Sequence, residues 1–146
     1  MPREIEFFAL GLPVAQGSKT FVPTMAGPRS KESNEKKLKP WRQDIRSAAH
    51  EAMQGEPLLL GPVQVRMTFV FPRPRSHYGT GKNAGVLKTR APLHRTSAPD
   101  LDKLIRAVGD AMTGVVVRDD AQIVSVEAHK VNGETPGVWV SLIALF

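Results

Sequence analysis

Residues 98–124 read APDLDKLIRAVGDAMTGVVVRDDAQIV, and they place four aspartates, Asp100, Asp102, Asp119 and Asp120, around the most regular apolar segment of the chain. If these carboxylates converge, their mutual repulsion calls for a neutraliser. A divalent ion supplies it, and Mg²⁺ in particular takes a few carboxylates together with waters and phosphate oxygens. Such a site can activate a water and stabilise charge on a leaving oxygen, which is what phosphodiester hydrolysis needs. The same residues have a plainer use. Aspartates at a helix start cap free N–H groups and suit the helix dipole, and Arg118-Asp119-Asp120 before a strand is an ordinary turn composition.

Spacing constrains the choice. Two residues apart on a helix, Asp100 and Asp102 would point about 200° apart. On extended backbone they point the same way. Convergence therefore places them at the strand-like entrance of a helix, where Pro99 favours an extended Ala98. The helix itself is legible over Leu101–Met112, because Leu101, Leu104, Ile105, Val108 and Met112 form one stripe. That leaves Asp102, Arg106 and Asp110 on the other side, with Asp102 and Arg106 one turn apart and able to pair.

The acids stand out against a cationic chain. The 146 residues carry a net charge of +6. Residues 73–99 contain six Lys/Arg and no Asp or Glu, and residues 16–42 contain seven Lys/Arg against Glu32 and Glu35. This balance points to a polyanion as partner, nucleic acid ahead of a membrane surface. The segments Pro13–Lys39 and Pro72–Pro99, which hold most of this charge, read as long loops, and Lys82, Lys88, Arg90 and Arg95 are the candidates for gripping a phosphate backbone. Solvated, mobile loops are the bland alternative.

The remaining elements supply a frame. Glu4–Leu12 and Val63–Phe71 alternate as strands. Pro40–Met53 reads as a helix with Pro40 at its start, and Trp41, Ile45, Ala48, Ala49 and Ala52 on one face. Gly114 suits a helix stop. Gln122–Lys130 and Val138–Leu145 read as strands joined by the turn NGETPG, so an antiparallel hairpin is expected. The expected fold is α/β (α+β): a mixed sheet in the order β-α-β-α-β-β, helices packed on it, one domain over 1–146.

Several chemistries drop out. There is no cysteine, so disulfides and thiolate metal sites are excluded. The segment GTGKNAG lacks the spacing of a phosphate loop, and it reads as a flexible basic tip. His50, His77, His94 and His129 form no metal-binding pair, and no nucleophile elbow is present. Trp41 and Trp139 are assigned to the core or a dimer interface rather than to base stacking. No apolar run is long enough to span a bilayer, and the acidic N-terminal strand does not resemble a signal peptide, so a cytoplasmic protein without membrane partners is expected.

The segment PDLDKLIRAVGDAMTGVVVRDDAQIVSV resembles the RusA-type Holliday junction resolvases, in the branch with the pattern PDxDNLxKxxxDALxGxxxxDDxQV. Asp100, Asp102, Asp119, Asp120 and Gln122 fall at its positions. GLPVAQGSKTFV resembles that branch's opening more weakly. The strong match covers about a fifth of the chain. The resemblance implies a homodimeric, Mg²⁺-dependent endonuclease, with Mn²⁺ as a substitute, that cuts four-way DNA by paired nicks in a bacterial or phage-infected cell. It implies Asp100, Asp102 and Asp120 as catalytic metal ligands, with Asp119 as a further ligand or a turn residue. The family lysine falls at Arg106, which keeps the charge and grips phosphate but donates no proton. The family asparagine falls at Lys103, a candidate DNA contact. Two alternatives remain open: a non-catalytic DNA-binding accessory protein, or a flap or single-strand nuclease using the same acids.

Overall fold

The computed structural model describes residues 2–17, 19–22, 29–32 and 35–146, with side chains over 2–17 and 35–146. The chain runs β1 (Glu4–Leu10), β2 (Lys19–Val22), β3 (Arg29–Glu32), α1 (Glu35–Met53), β4 (Val63–Pro72), α2 (Leu101–Met112), β5 (Ile123–Gly133) and β6 (Gly137–Ala144). It is a single α+β domain. Four strands form a mixed sheet in the order β1-β6-β4-β5, and β2 and β3 form a separate antiparallel pair.

Period-two alternation makes one face of this sheet apolar. Ile5, Phe7 and Ala9 of β1, Val138, Val140 and Leu142 of β6, and Val63, Val65, Met67, Phe69 and Phe71 of β4 are buried together. The helices close that face. Helix α1 contributes Leu38, Trp41, Ile45, Ala49 and Met53, and α2 contributes Leu104, Ala107, Val108, Ala111 and Met112. Arg46 of α1 donates to the carbonyls of Ala111 and Thr113, at 3.2 and 3.3 Å, covering the carbonyls that end α2. Gly114 follows at φ +85°, the left-handed conformation of a helix stop. Among the described residues nothing covers the opposite sheet face. There Trp139, half exposed, packs on Phe8 with ring centroids 4.8 Å apart, so Trp139 belongs to a surface while Trp41 belongs to the core.

Three expectations are corrected. First, the segment from Pro13 to Lys39 is not one long loop, since it contains the β2–β3 pair; residues 18, 23–28 and 33–34 of it lie outside the described residues. Second, α1 begins at Glu35, so Pro40 sits inside it. Buried Leu38, one turn before Trp41, anchors the extra turn. Pro40 is exposed, which leaves the unpaired Lys36 carbonyl to water. Third, β5 and β6 are antiparallel but form no hairpin, because β4 lies between them, parallel to β5 and antiparallel to β6. Residues 134–136 cross the end of β4, a span of about 10 Å that three residues can bridge. The physical reason is burial. Strand β4 buries alternate residues along its whole length and takes a central place, whereas β5 buries only Asn132 and takes the edge.

Among the described residues no helix is long and apolar enough to cross a membrane.

The start of β6 depends on close approach. A Cβ at Gly137 would collide with the Phe8 ring and the Ala9 carbonyl of β1. Gly137→Ala is expected to destabilise the fold by about 1–3 kcal/mol, as other overpacking changes do. Thermal denaturation would then show a midpoint lower by several degrees; an unchanged midpoint would contradict this β1–β6 contact.

Candidate functional site

Helix α2 carries the acids, and its first residues set one end of the site. Asp100 is the N-cap, on extended backbone at φ −71° and ψ 139°, and its carbonyl accepts from Leu104 N at 3.2 Å. Its carboxylate makes no capping bond. The capping explanation of Asp100 is thus not what this side chain does. Lys103 Nζ lies 3.7 Å from it. Asp102, in the first helical turn, and Arg106, one turn on, are both exposed. The Asp102–Arg106 ion pair expected from their spacing does not form.

The approach to Asp100 is held by cations bonded to backbone. Lys130 Nζ of β5 donates to the carbonyls of Ser97 and Pro99 at 2.9 and 2.8 Å. Arg95 donates through Nε and Nη2 to the Ala98 carbonyl, and its guanidinium lies 4.5 Å from the centre of the Phe71 ring. Asn132, a buried polar side chain, donates to the carbonyls of Pro92 and His94, while its own N–H donates to Leu93 O at 2.8 Å. Arg95 is therefore engaged inside the protein and differs from the exposed Lys82, Lys88 and Arg90.

The other acids sit near the far end of α2. Asp119 caps a short 3₁₀ turn, Asp120–Gln122, by accepting from Ala121 N at 2.9 Å. Gln122 is a four-way clasp. Its Oε1 accepts from the N–H groups of Arg118 and Asp119, and its Nε2 donates to the carbonyls of Leu59 and Gly61. This turn brings Asp120 over Gly109, where a Cβ would lie 3.8 Å from Asp120 Oδ2. Asp110 is beside it. Asp110 accepts from Gln16 Nε2 at 2.5 Å, Gln16 Oε1 accepts from Arg42 Nη1 at 3.1 Å, and Gln16 N donates to Lys103 O. The segment before β2 is thereby docked along α2.

The carboxyl of Asp120 is pushed above its ordinary value of 3.8. Partial loss of water contributes most, followed by a hydrogen bond with Asp119 and the charges of Asp110 and Asp119. Asp120 is still largely exposed, so a bound cation can reach it and relieve that repulsion.

One chain does not gather all the acids. From Asp100 to Gly109 is nine residues, about 13 Å along a helix. Among the described residues no three acidic or histidine side chains are grouped to hold an ion. The donors form two groups instead, Asp100 with Asp102 at one end of α2 and Asp110 with Asp120 at the other. All are carboxylate oxygens, the donor type Mg²⁺ prefers, and one or two of them with waters are enough for it. The donor set fits a hard divalent cation.

The basic stretch after β4 is folded back on itself. Gly79 N donates to Val86 O and Lys88 N to His77 O, pairing the legs of a loop whose tip carries Lys82. Arg73 Nη1 donates to Pro92 O at 2.8 Å and ties its base. Lys82, Lys88 and Arg90 form no ion pair among the described residues, so their charges face solvent.

The α+β domain thus presents carboxylates toward both ends of α2 and a loop whose Lys82, Lys88 and Arg90 face solvent. The endodeoxyribonuclease RusA family model matches residues 11–143, and the chain belongs to that family. It is also similar to the uncharacterized protein YqaN of Bacillus subtilis (strain 168), at 28% identity over 145 residues and 94% of each chain.

Of the residues singled out from the sequence, Asp100 and Asp102 are neighbours with Lys103 and Arg106, and Asp120 is neighbour to Asp119. The sequence assigns no role to Gln16, Arg42, Lys130 or Asn132, each an isolated polar residue whose partner is remote in the chain, and it places Asp110 on the polar side of α2 without a role. A carboxyl raised in the folded state favours folding below 3.8 and loses that contribution as pH rises through its folded value. Asp120→Asn is accordingly expected to melt higher than wild type at neutral pH without metal, with the advantage vanishing in acid. Melting curves across that range check it, and a lower neutral midpoint would refute it.

Proposed function

We propose that this protein is a Mg²⁺-dependent endonuclease, accepting Mn²⁺, that resolves four-way DNA junctions as a homodimer through paired phosphodiester cuts. The observation that carries this reading is the uncapped Asp100 carboxylate at the entrance of α2 in a member of a DNA-cutting family. Residues 1–146 act as one nuclease domain. Asp100, Asp102 and Asp120 would hold the ion, which when bound activates a water and offsets charge on the leaving oxygen. Asp119 serves the turn through its capping bond. Arg106, exposed one turn beyond Asp102, grips a phosphate oxygen and does not move a proton. Lys82, Lys88 and Arg90 hold the sugar-phosphate backbone without reading bases, and Lys103 adds charge next to Asp100.

The separation of the two carboxylate groups favours a dimer. A two-fold arrangement can set the Asp100 end of one α2 beside the Asp120 end of its partner's, and two such sites suit two symmetric nicks. In the accessory-protein alternative the acids would be structural, with binding but no cutting.

The test uses synthetic four-way junctions labelled on each strand, with linear duplex and a flap as comparisons. Symmetric nicks that require Mg²⁺ and the junction are expected, and Asp100→Asn or Asp120→Asn should slow them on the order of a thousandfold or more while junction binding persists. Mixing those two inactive variants should restore single nicks only, because each mixed dimer keeps one intact site. Binding without cleavage under any divalent ion would establish the accessory reading, and preferred cutting of the flap would establish the flap-nuclease one.

A further inference from the structure

The carbonyls of Ser97, Ala98 and Pro99, the three residues leading into Asp100, all accept from cationic side chains. Arg95 takes the middle one from within the loop itself. Lys130 takes the outer two, and it alone reaches them from the sheet. Its backbone is also engaged, since Arg95 N donates to Lys130 O at 3.1 Å, and its strand neighbour in β4 is buried Phe69. Lys130 is only partly exposed, so its ammonium is directed inward to the carbonyls rather than out to a polyanion.

We infer that Lys130 is a positioning residue: it fixes the Ser97–Pro99 backbone on β5 so that the Asp100 carboxylate is held ready for a divalent cation. This rests on the function proposed above and adds a role for a residue outside the acidic segment. Three features support it. Asp100 has no capping bond and only Lys103 at 3.7 Å beside its carboxylate, so the backbone that carries it sets its position. An ammonium with two carbonyl acceptors at 2.8–2.9 Å makes charge-assisted bonds that are short and strong. The ammonium forms no ion pair with the acids, so it occupies no ligand oxygen. A lysine on an edge strand of a basic protein would otherwise be counted as a DNA contact, and that assignment predicts a different outcome.

The experiment compares full-length wild type, Lys130→Met and Lys130→Arg, with Arg66→Met on the open sheet face as a control. Arg66 pairs only with exposed Glu127. Three quantities are read for each: thermal midpoint, junction affinity without divalent metal, and Mn²⁺ binding without DNA, followed by the loss of the free-ion magnetic resonance signal. Orienting groups behind a metal ligand typically change metal affinity about 10–100-fold. Lys130→Met is expected to weaken Mn²⁺ binding about tenfold or more and to raise the Mn²⁺ concentration needed for cleavage by a similar factor. Junction affinity should stay within about twofold, where a phosphate contact would instead weaken it and lower its salt dependence. Lys130→Arg should recover most of the metal affinity. If Lys130→Met fails to fold, Lys130→Gln, which keeps a donor without the charge, takes its place. Unchanged Mn²⁺ binding in a folded variant, or a loss confined to junction affinity, overturns the positioning role alone. A wild type that neither binds Mn²⁺ nor cleaves overturns the nuclease reading and this role together.

Discussion

The length and placement of α2 control the chemistry available to this chain. The helix lies in the crossover between two parallel neighbours, β4 and β5, so its start comes near the end of β5 and its last turns come near the beginning of that strand. Acids placed just before the helix and just before β5 are therefore held at opposite ends of it. The apolar stripe that makes the helix recognisable also prevents it from turning or sliding to bring them together, since Leu104, Val108 and Met112 are wholly buried. A helix cannot be shortened without losing whole turns of core.

Around that rod, side-chain hydrogen bonds do the local positioning. Gln122 ties the Asp119–Asp120 turn to the Leu59–Gly61 segment, Gln16 ties the chain before β2 to Asp110, and Lys130, Arg95 and Asn132 tie the end of the long basic loop to β5. Loops carry polar backbone that must be satisfied, and here part of it is satisfied by long side chains, from β5 in Lys130 and Asn132 and from the loops and turns themselves in Arg95 and Gln122. This explains how a basic protein can spend several of its cations internally. Charge on Arg95 and Lys130 is engaged by backbone carbonyls of the chain itself, while charge on Lys82, Lys88 and Arg90 faces solvent.

The electrostatic pattern is consistent with that division. Partial loss of water, a hydrogen bond with Asp119 and the charges of Asp110 and Asp119 together raise the Asp120 carboxyl, and Asp100 stands with only a loose lysine neighbour. Neither group is neutralised within the fold in the way a structural ion pair would be. The chain belongs to the endodeoxyribonuclease RusA family, and under the function proposed above these uncompensated carboxylates would be the ligands of the metal ion.

The linear sequence determined the elements whose signal is periodic: α2, β1, β4, the end of α2 at Gly114, and the concentration of acid in 98–124. Those features depend on neighbours within a few residues, and burial of one face makes them repeat. Tertiary structure alone decided the rest. Leu38 extended α1 through Pro40 because a core position was there to fill. Strand β4 separated β5 from β6 because the most buried strand takes the centre of a sheet, a competition between strands that no single strand displays. The roles of Gln16, Gln122 and Lys130, and the distance between Asp100 and Asp120, were set by contacts between residues far apart in the chain. A hydrogen bond across such a separation leaves no period and no local composition to read.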